Sequence, residues 1–500
     1  MILPLVTFFP LVGFIIILMQ RDDTPAGRTA VRWTALVTSL LTFILSLVML
    51  AQFNAGSPDL QLTLRVPWLQ ISGATISFFM GVDGLSILLV LLNTFLIPIA
   101  LLSSWSSIQE NIRGFSLWFL LLEVGMTGVF LAQDLVLFFV FWEFSLVPMY
   151  FLIGTWGAGR RVYAALKFFL YTMSGSILML LGILWLGIQG GTFALPDLVA
   201  AHNITPYAQT WLFVAFAIAF AVKVPMWPLH SWLPDAHTEA PTPGSVILAG
   251  VMLKMGAYGL LRFNLSLFPD ATIRLAPWLA LLAVIGIIYG AIVAYAQKDM
   301  KRLVAYSSVS HLGFVVLGLF ALNPQGLQGG ILQMVNHGLS TGALFLIVGM
   351  IYERRHTREM DQMGGIWKAM PIYGGLALTV VLSSIGLPGL NGFVGEFTIL
   401  LGSFGSKVLA NPWFAGVATL GVILAAVYLL HMFEKVFLGP ITRPENRSLK
   451  DLSAREIVML APLLVMILWI GLYPKPFFLL IAPAVEKLSA SIQAAALAMH

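Results

Sequence analysis

Apolar runs of about twenty residues recur from one end of this 500-residue chain to the other, and that restricts it to very few folds. The hydrocarbon core of a bilayer offers no water to backbone N–H and C=O groups, so only helices and closed barrels can cross it. Barrel strands would alternate over ~10 residues; these runs are continuous, so the expected fold is all-α. Charged residues make up only 10% of the chain, against about 25% in soluble domains. With no cysteine, the chain excludes disulfides, thiol chemistry and cysteine-ligated iron–sulfur clusters of its own.

Fourteen spans are expected, near 2–20, 33–52, 76–104, 115–133, 135–155, 165–189, 208–226, 243–263, 277–296, 302–321, 327–352, 372–402, 413–436 and 457–480. The first run lacks a basic n-region and a small-residue cleavage site, so it reads as a retained helix. Alternating the connections places nineteen of the 27 Lys and Arg residues on one side, among them Arg21, Arg160, Arg161, Lys167, Lys301, Arg354 and Arg447. Six lie on the other: Arg65, Arg262, Arg274, Lys407, Lys475 and Lys487. The positive-inside rule makes the first side cytoplasmic and puts both termini outside. The formal charge of +5 therefore reports topology and implies no nucleic-acid partner. Connections are short, and residues 56–72 carry the alternation of a small hairpin on the outer surface.

Two spans are interrupted alike. Span 7 ends in Lys223, Pro225 and Pro228, and span 12 carries Pro388, Gly389, Asn391 and Gly392. Proline removes a backbone donor and clashes with the preceding turn, so both helices should break. Broken backbone at membrane depth is tolerated only where protein or a wet cavity surrounds it. The breaks lie five spans apart, and a unit with an odd number of spans inverts its successor. We expect two inverted five-helix repeats with discontinuous helices 7 and 12, and function at the breaks. The divisions are 1–114 for an N-terminal three-helix segment, 115–263 and 264–436 for the repeats, and 437–500 for span 14 and a tail.

Ionisable residues lie inside these spans although each costs roughly 2.5–3.5 kcal/mol at mid-bilayer on insertion scales. Glu123 and Glu143 occupy spans 4 and 5, Lys223 precedes the first break, and Lys254 is central in span 8. His311 lies in span 10, Gln333, His337 and Thr341 share one face of span 11, and Glu396 follows the second break. Burial favours the neutral lysine and a nearby carboxylate restores its charge, so a Glu143–Lys223 pair could hold or release a proton. Histidine accepts and donates near neutral pH. Strung from one repeat to the other, these groups suit a lateral proton relay, with Glu123 in a supporting place. Static ion pairs and interhelical hydrogen bonds are the structural alternatives. Asp83, His431 and Glu434 lie near span ends, where solvation would account for them.

The segment from His230 to Glu239 holds possible metal ligands, but its prolines give no regular helix to present them. A hydrogen-bonded link between spans 7 and 8 is the expected role, with no metal. No Walker lysine motif or Gly-x-Gly-x-x-Gly fingerprint occurs, so no nucleotide or other cofactor site is expected in this chain.

The run from Lys223 to Pro243 closely resembles the span 7–8 signature of the antiporter-like subunits of respiratory complex I. Phe141-Trp142-Glu143, Lys254 to Tyr258, Tyr306 to His311 and Asn336-His337 match the same family in order, and the likeness covers essentially the whole chain. Leu387 to Phe397, with Glu396, points to the mitochondrial subunit 4 branch, since L and N relatives usually carry lysine in span 12. The L branch adds a long lateral helix, for which a chain ending at His500 is too short. The resemblance implies a membrane-arm subunit of a proton-pumping NADH:quinone oxidoreductase in a bacterial inner membrane. It implies Glu143 and Lys223 as a gating pair, Lys254, His311 and His337 as the connection, and Glu396 at the outer exit. NADH, FMN, iron–sulfur clusters and quinone would belong to partner subunits, and two related antiporter-like chains would flank this one in the lipid bilayer. Three other readings stay open: a multisubunit cation/proton antiporter, a membrane-bound hydrogenase arm, and a non-conducting scaffold.

Overall fold

The computed structural model describes residues 1–201 and 204–498; His500 lies outside them. Fourteen helices among these residues are long and apolar enough to cross a membrane, and thirteen coincide with expected spans. Span 12 is not among them because it is two helices, Pro371–Ser384 and Asn391–Phe404. Span 7 is likewise broken into Pro206–Lys223 and Trp232–Glu239. Several spans open on side-chain caps that satisfy the free N–H groups of a first turn. Asp134 caps Val136 and Leu137, Asn323 caps Gly326, and Ser453 with Glu456 forms a capping box.

Packing partners recur five spans apart. Span 6 (Arg161–Gly190) touches both halves of span 7, and span 11 (Pro324–Arg355) touches both halves of span 12. The apolar windows of spans 8 and 11 are wholly buried, while spans 1, 2, 6 and 14 keep most of theirs exposed. The core thus sits around spans 8 and 11, with a lipid- or partner-facing ring around it.

Two differences from the sequence reading change the architecture. Span 3 begins at Ile87 because Ala74–Val82 forms a strand, β2, paired antiparallel with β1 (Gln61–Ile71). Both turn residues, Ser72 and Gly73, have positive φ, the two-residue geometry whose twist suits a hairpin. An apolar run of Thr, Ile and Phe cannot be told from a helix by hydropathy alone, and here the turn decides. The second difference is the tail. Lys475–Ala498 is a 24-residue helix whose positions Leu480, Ala484, Lys487 and Ser491 all meet one end of the bundle, near Asp59, Gly84 and Arg262. A crossing helix would bring only one of its ends there. This one lies along the hairpin face, opposite the arginine-rich face.

Candidate functional site

Span 7 ends at Lys223 because Pro225 and Pro228 cannot continue the ladder, and Trp232 donates its indole N–H to the freed Val222 carbonyl at 2.8 Å. This fixes Lys223 in a fully buried place with no hydrogen-bond partner for Nζ among the described residues. The ammonium lies over aromatic faces, 5.2 Å from the Trp142 ring and 5.5 Å from Phe168, a contact that stabilises a cation. The expected pair with Glu143 is not closed: Glu143 is half-buried on the neighbouring span, and no hydrogen bond joins the two. Glu123 is sealed, and neither carboxylate oxygen has a partner among the described residues. Glu143 and Lys223 were expected as a pair with Glu123 in support; here no hydrogen bond joins any two of the three.

The second half is connected. Span 8 contains two π-helical segments, Leu248–Met252 and Leu260–Asn264, on either side of Lys254. Such wide turns divert carbonyls from the helical ladder, and Lys254 Nζ bonds to the Ala249 carbonyl. Nζ also lies 2.7 Å from His337 Nδ1 on span 11. The His337 and His311 rings stand 6.2 Å apart. Between them and the span 12 break lies a cavity of ≈ 10 Å³ lined by His311, Gln333, His337, Ser340, Thr341 and Ser383, space on the scale of one water with abundant polar partners. His311 Nδ1 donates to Glu396 Oε1 at 2.7 Å, Gln333 Nε2 donates to the same oxygen at 3.1 Å, and His311 Nε2 lies 3.1 Å from the Tyr428 hydroxyl. Ser307 extends this to five groups, 2.7 Å from Tyr428.

The break in span 12 is clasped by span 11. Gly386 and Gly389 take positive φ, and Asn391 and Asn336 exchange side-chain amides for each other's carbonyls at 3.3 and 2.7 Å. Ser340 and Ser383 complete the clasp at 2.7 Å. Irregular backbone is thus satisfied within protein, beside Glu396.

Two sequence expectations are corrected. Asp83 is not a solvated end residue: it is buried and paired in two hydrogen bonds with Arg262, which the loop count had placed in an outer connection. Both lie at span ends in sequence, but the Lys475–Ala498 helix helps cover them. Lys301, counted as a cytoplasmic loop charge, is buried as well. By contrast Glu434 is exposed, as expected, and His431 packs at the surface on Tyr295. The His230–Glu239 side chains diverge. His230 lies against Tyr289, Asp235 accepts from Lys167 at 2.7 Å, and His237 stacks on Phe345.

Residues 132–424, more than half of the chain, match the model of the NADH:quinone oxidoreductase/Mrp antiporter transmembrane family. The chain belongs to that family. A curated family relative from Rhodobacter capsulatus, NADH-quinone oxidoreductase subunit M, is 43% identical over 97% of this chain and 96% of its own length. The subunit M of Pseudomonas aeruginosa is 44% identical over 95% of each chain. The NADH-ubiquinone oxidoreductase chain 4 of Chondrus crispus is 41% identical over 95% of this chain and 94% of its own length. Among solved structures, respiratory complex I from Thermus thermophilus with bound NADH contains a chain that matches with a TM-score of 0.88 and 33% identity, covering 98% of this chain and all of that one. An archaeal membrane-bound sulfane sulfur reductase shares the fold, with a TM-score of 0.83 at 24% identity over 94% of this chain and 76% of that one.

In this family member, Tyr428, Ser307, Asn336 and His237 were not singled out as relay groups from sequence. A tyrosine, a serine or an asparagine in a membrane helix carries no spacing signal of its own. Only the fold brings Tyr428 of span 13 to His311 of span 10.

Proposed function

We propose that this chain is a proton-translocating membrane-arm subunit of an NADH:quinone oxidoreductase, moving protons along Glu143, Lys223, Lys254, His337, His311 and Glu396. The observation that carries the reading is the run Lys254–His337–cavity–His311–Glu396, in which two 2.7 Å contacts flank a space fit for one water. A proton can pass along it by exchange between neighbouring lone pairs. His337 Nδ1 accepts from the Lys254 ammonium, a water between the rings relays the proton to His311, and the imidazole delivers it to the Glu396 carboxylate. Glu123 supports the first half.

Relatives named as oxidoreductase subunits over nearly the full length favour this reading over a cation antiporter or a scaffold. On it, redox chemistry belongs to partner subunits carrying FMN and iron–sulfur clusters, which oxidise NADH and reduce quinone. Two related antiporter-like chains are neighbours in the arm. The basic face lies in the cytoplasm of a bacterium, and both termini lie outside its plasma membrane.

The test is Lys254→Met in the intact complex, reconstituted in liposomes. Pumping and coupled quinone reduction should fall while the complex assembles; undiminished pumping would remove the reading.

A further inference from the structure

The relay reading leaves the buried base Lys301 without a task. Lys301, the second residue of span 10 (Met300–Phe320), is 5% exposed. Its ammonium bonds to the Ala240 carbonyl, just beyond the second half of span 7. It also forms part of the wall of a cavity of ≈ 440 Å³ on the arginine-rich face. That cavity opens at the seam of the two repeats, between the ends of spans 3, 5, 10 and 11, and Glu239, Glu353, His356 and Arg358 line it with Lys301. It is large enough for many waters.

His237 lies three residues before Ala240, in the half of span 7 that packs on span 10. It is completely buried, and neither ring nitrogen has a hydrogen-bond partner among the described residues. Leaving two polar ring atoms unsatisfied at that depth is costly, and Lys301 and Lys254 both bear on it electrostatically. His237 therefore feels the charge of both Lys301, in the wall of that vestibule, and Lys254, the first connected member of the relay.

We propose that protons enter the relay from the cytoplasmic side through this vestibule, with Lys301 as the entry group and His237 as the carrier to Lys254. The inference rests on the relay reading above. Each step is a proton exchange across a bridging water, since neither His237 nitrogen bonds directly to Lys301 or Lys254. The Lys301 ammonium gives a proton to the His237 imidazole, leaving a neutral amine that is recharged from vestibule water. The His237 imidazolium gives its proton to a neutral Lys254. Two lysines flanking the imidazole make its charged state short-lived, so the proton moves on. Glu239 and Glu353 at the vestibule wall gather protons from the cytoplasm, and Arg358 is held out of the exchange by its ion pair with Asp299 at 3.0 Å. This entry joins the relay at Lys254 and does not pass through Lys223.

A structural duty for Lys301 is equally visible, because the carbonyls of Thr238, Glu239 and Ala240 at this helix end are taken by Arg358, the Ala158 N–H and Lys301. Arginine separates the two. Lys301→Arg keeps a charged donor for the carbonyl but does not release a proton. In the intact complex reconstituted in liposomes, Lys301→Arg and Lys301→Met should each lower NADH-driven pumping by at least roughly tenfold, the scale of a lost proton-transfer group, with the complex assembled. Wild-type pumping in Lys301→Arg would overturn the entry. Glu396→Gln, measured alongside, separates the two readings: loss there with normal Lys301→Arg ends the entry alone, whereas normal pumping in Glu396→Gln ends the relay. If neither Lys301 variant assembles, Ser107→Cys at the vestibule wall offers a second route, labelled after assembly with a bulky membrane-impermeant maleimide. Labelling should depress pumping relative to labelled wild type, and unchanged pumping would overturn the entry.

Discussion

Arg262 of span 8 and Asp83, just before span 3, meet through two hydrogen bonds of 2.6 and 2.5 Å, and both side chains are almost sealed from solvent. The Arg262 Nε donates onward to the Tyr258 hydroxyl at 3.0 Å, which donates to the Phe130 carbonyl at 3.0 Å. Spans 3, 4 and 8 are thereby tied together one to two turns from Lys254.

Removing one partner of a buried pair leaves an uncompensated charge. Asp83→Ala should therefore cost about 3–5 kcal/mol, whereas Lys487→Ala, which breaks an ion pair whose side chains are 61% and 68% exposed, should cost less than about 1 kcal/mol. Thermal unfolding of the detergent-solubilised protein distinguishes them; equal shifts would refute the argument from burial.

Glu396 Oε1 receives both His311 and Gln333. Glu396→Gln keeps the shape but removes the proton-accepting charge. Pumping should drop by roughly tenfold or more, while Glu396→Asp retains part of it. A dye-quench assay in vesicles reads the difference.

Lys223 is buried on the rings of Trp142 and Phe168, with its only expected acid not bonded to it. Lys223→Arg should stop pumping even though the cation is kept, because arginine does not deprotonate in proteins. Glu143→Ala should depress it as well. Normal turnover-coupled pumping in Lys223→Arg would contradict a protonation cycle at this residue.

Gly386 sits at φ +76 in the span 12 break, and a Cβ there would stand 3.3 Å from Glu396 Oε2. Gly386→Ala should cost about 1–2 kcal/mol from backbone conformation and displace the carboxylate, lowering pumping. Gly375, within the helix Pro371–Ser384, has nothing within 4 Å of a Cβ. Gly375→Ala should leave pumping intact and stability unchanged or up to about 1 kcal/mol higher. Melting temperature and vesicle pumping together check the pair.

Much of the site was legible because membrane burial makes charge conspicuous. Lys254, His311, His337 and Glu396 stand out in apolar runs, and the structure brings them together. Gln333, His337 and Thr341 line one cavity, as four-residue spacing on a helix requires. Asp83 and Arg262 were misread because they sit at span ends 179 residues apart, and no spacing rule links positions that distant. Lys301 was misread for a related reason: a lysine beside a loop is usually solvated, and only the placement of Ala240 above it closes the site. The second hairpin strand was lost to its own hydropathy, which a helix would share.

The sequence by itself determined that the chain crosses a bilayer in helices, that two of them break, and which ionisable groups are kept inside. These follow from the cost of unsatisfied backbone and of charge in hydrocarbon, which every residue meets locally. Tertiary structure alone decided which of those groups touch: Lys254 reaches His337, His311 reaches Glu396, and Lys223 stays on aromatic rings apart from Glu143. It also laid the last helix along the hairpin face rather than through the membrane. The reason is geometric, since hydrogen bonds and ion pairs act over a few ångströms between segments that the chain order leaves far apart.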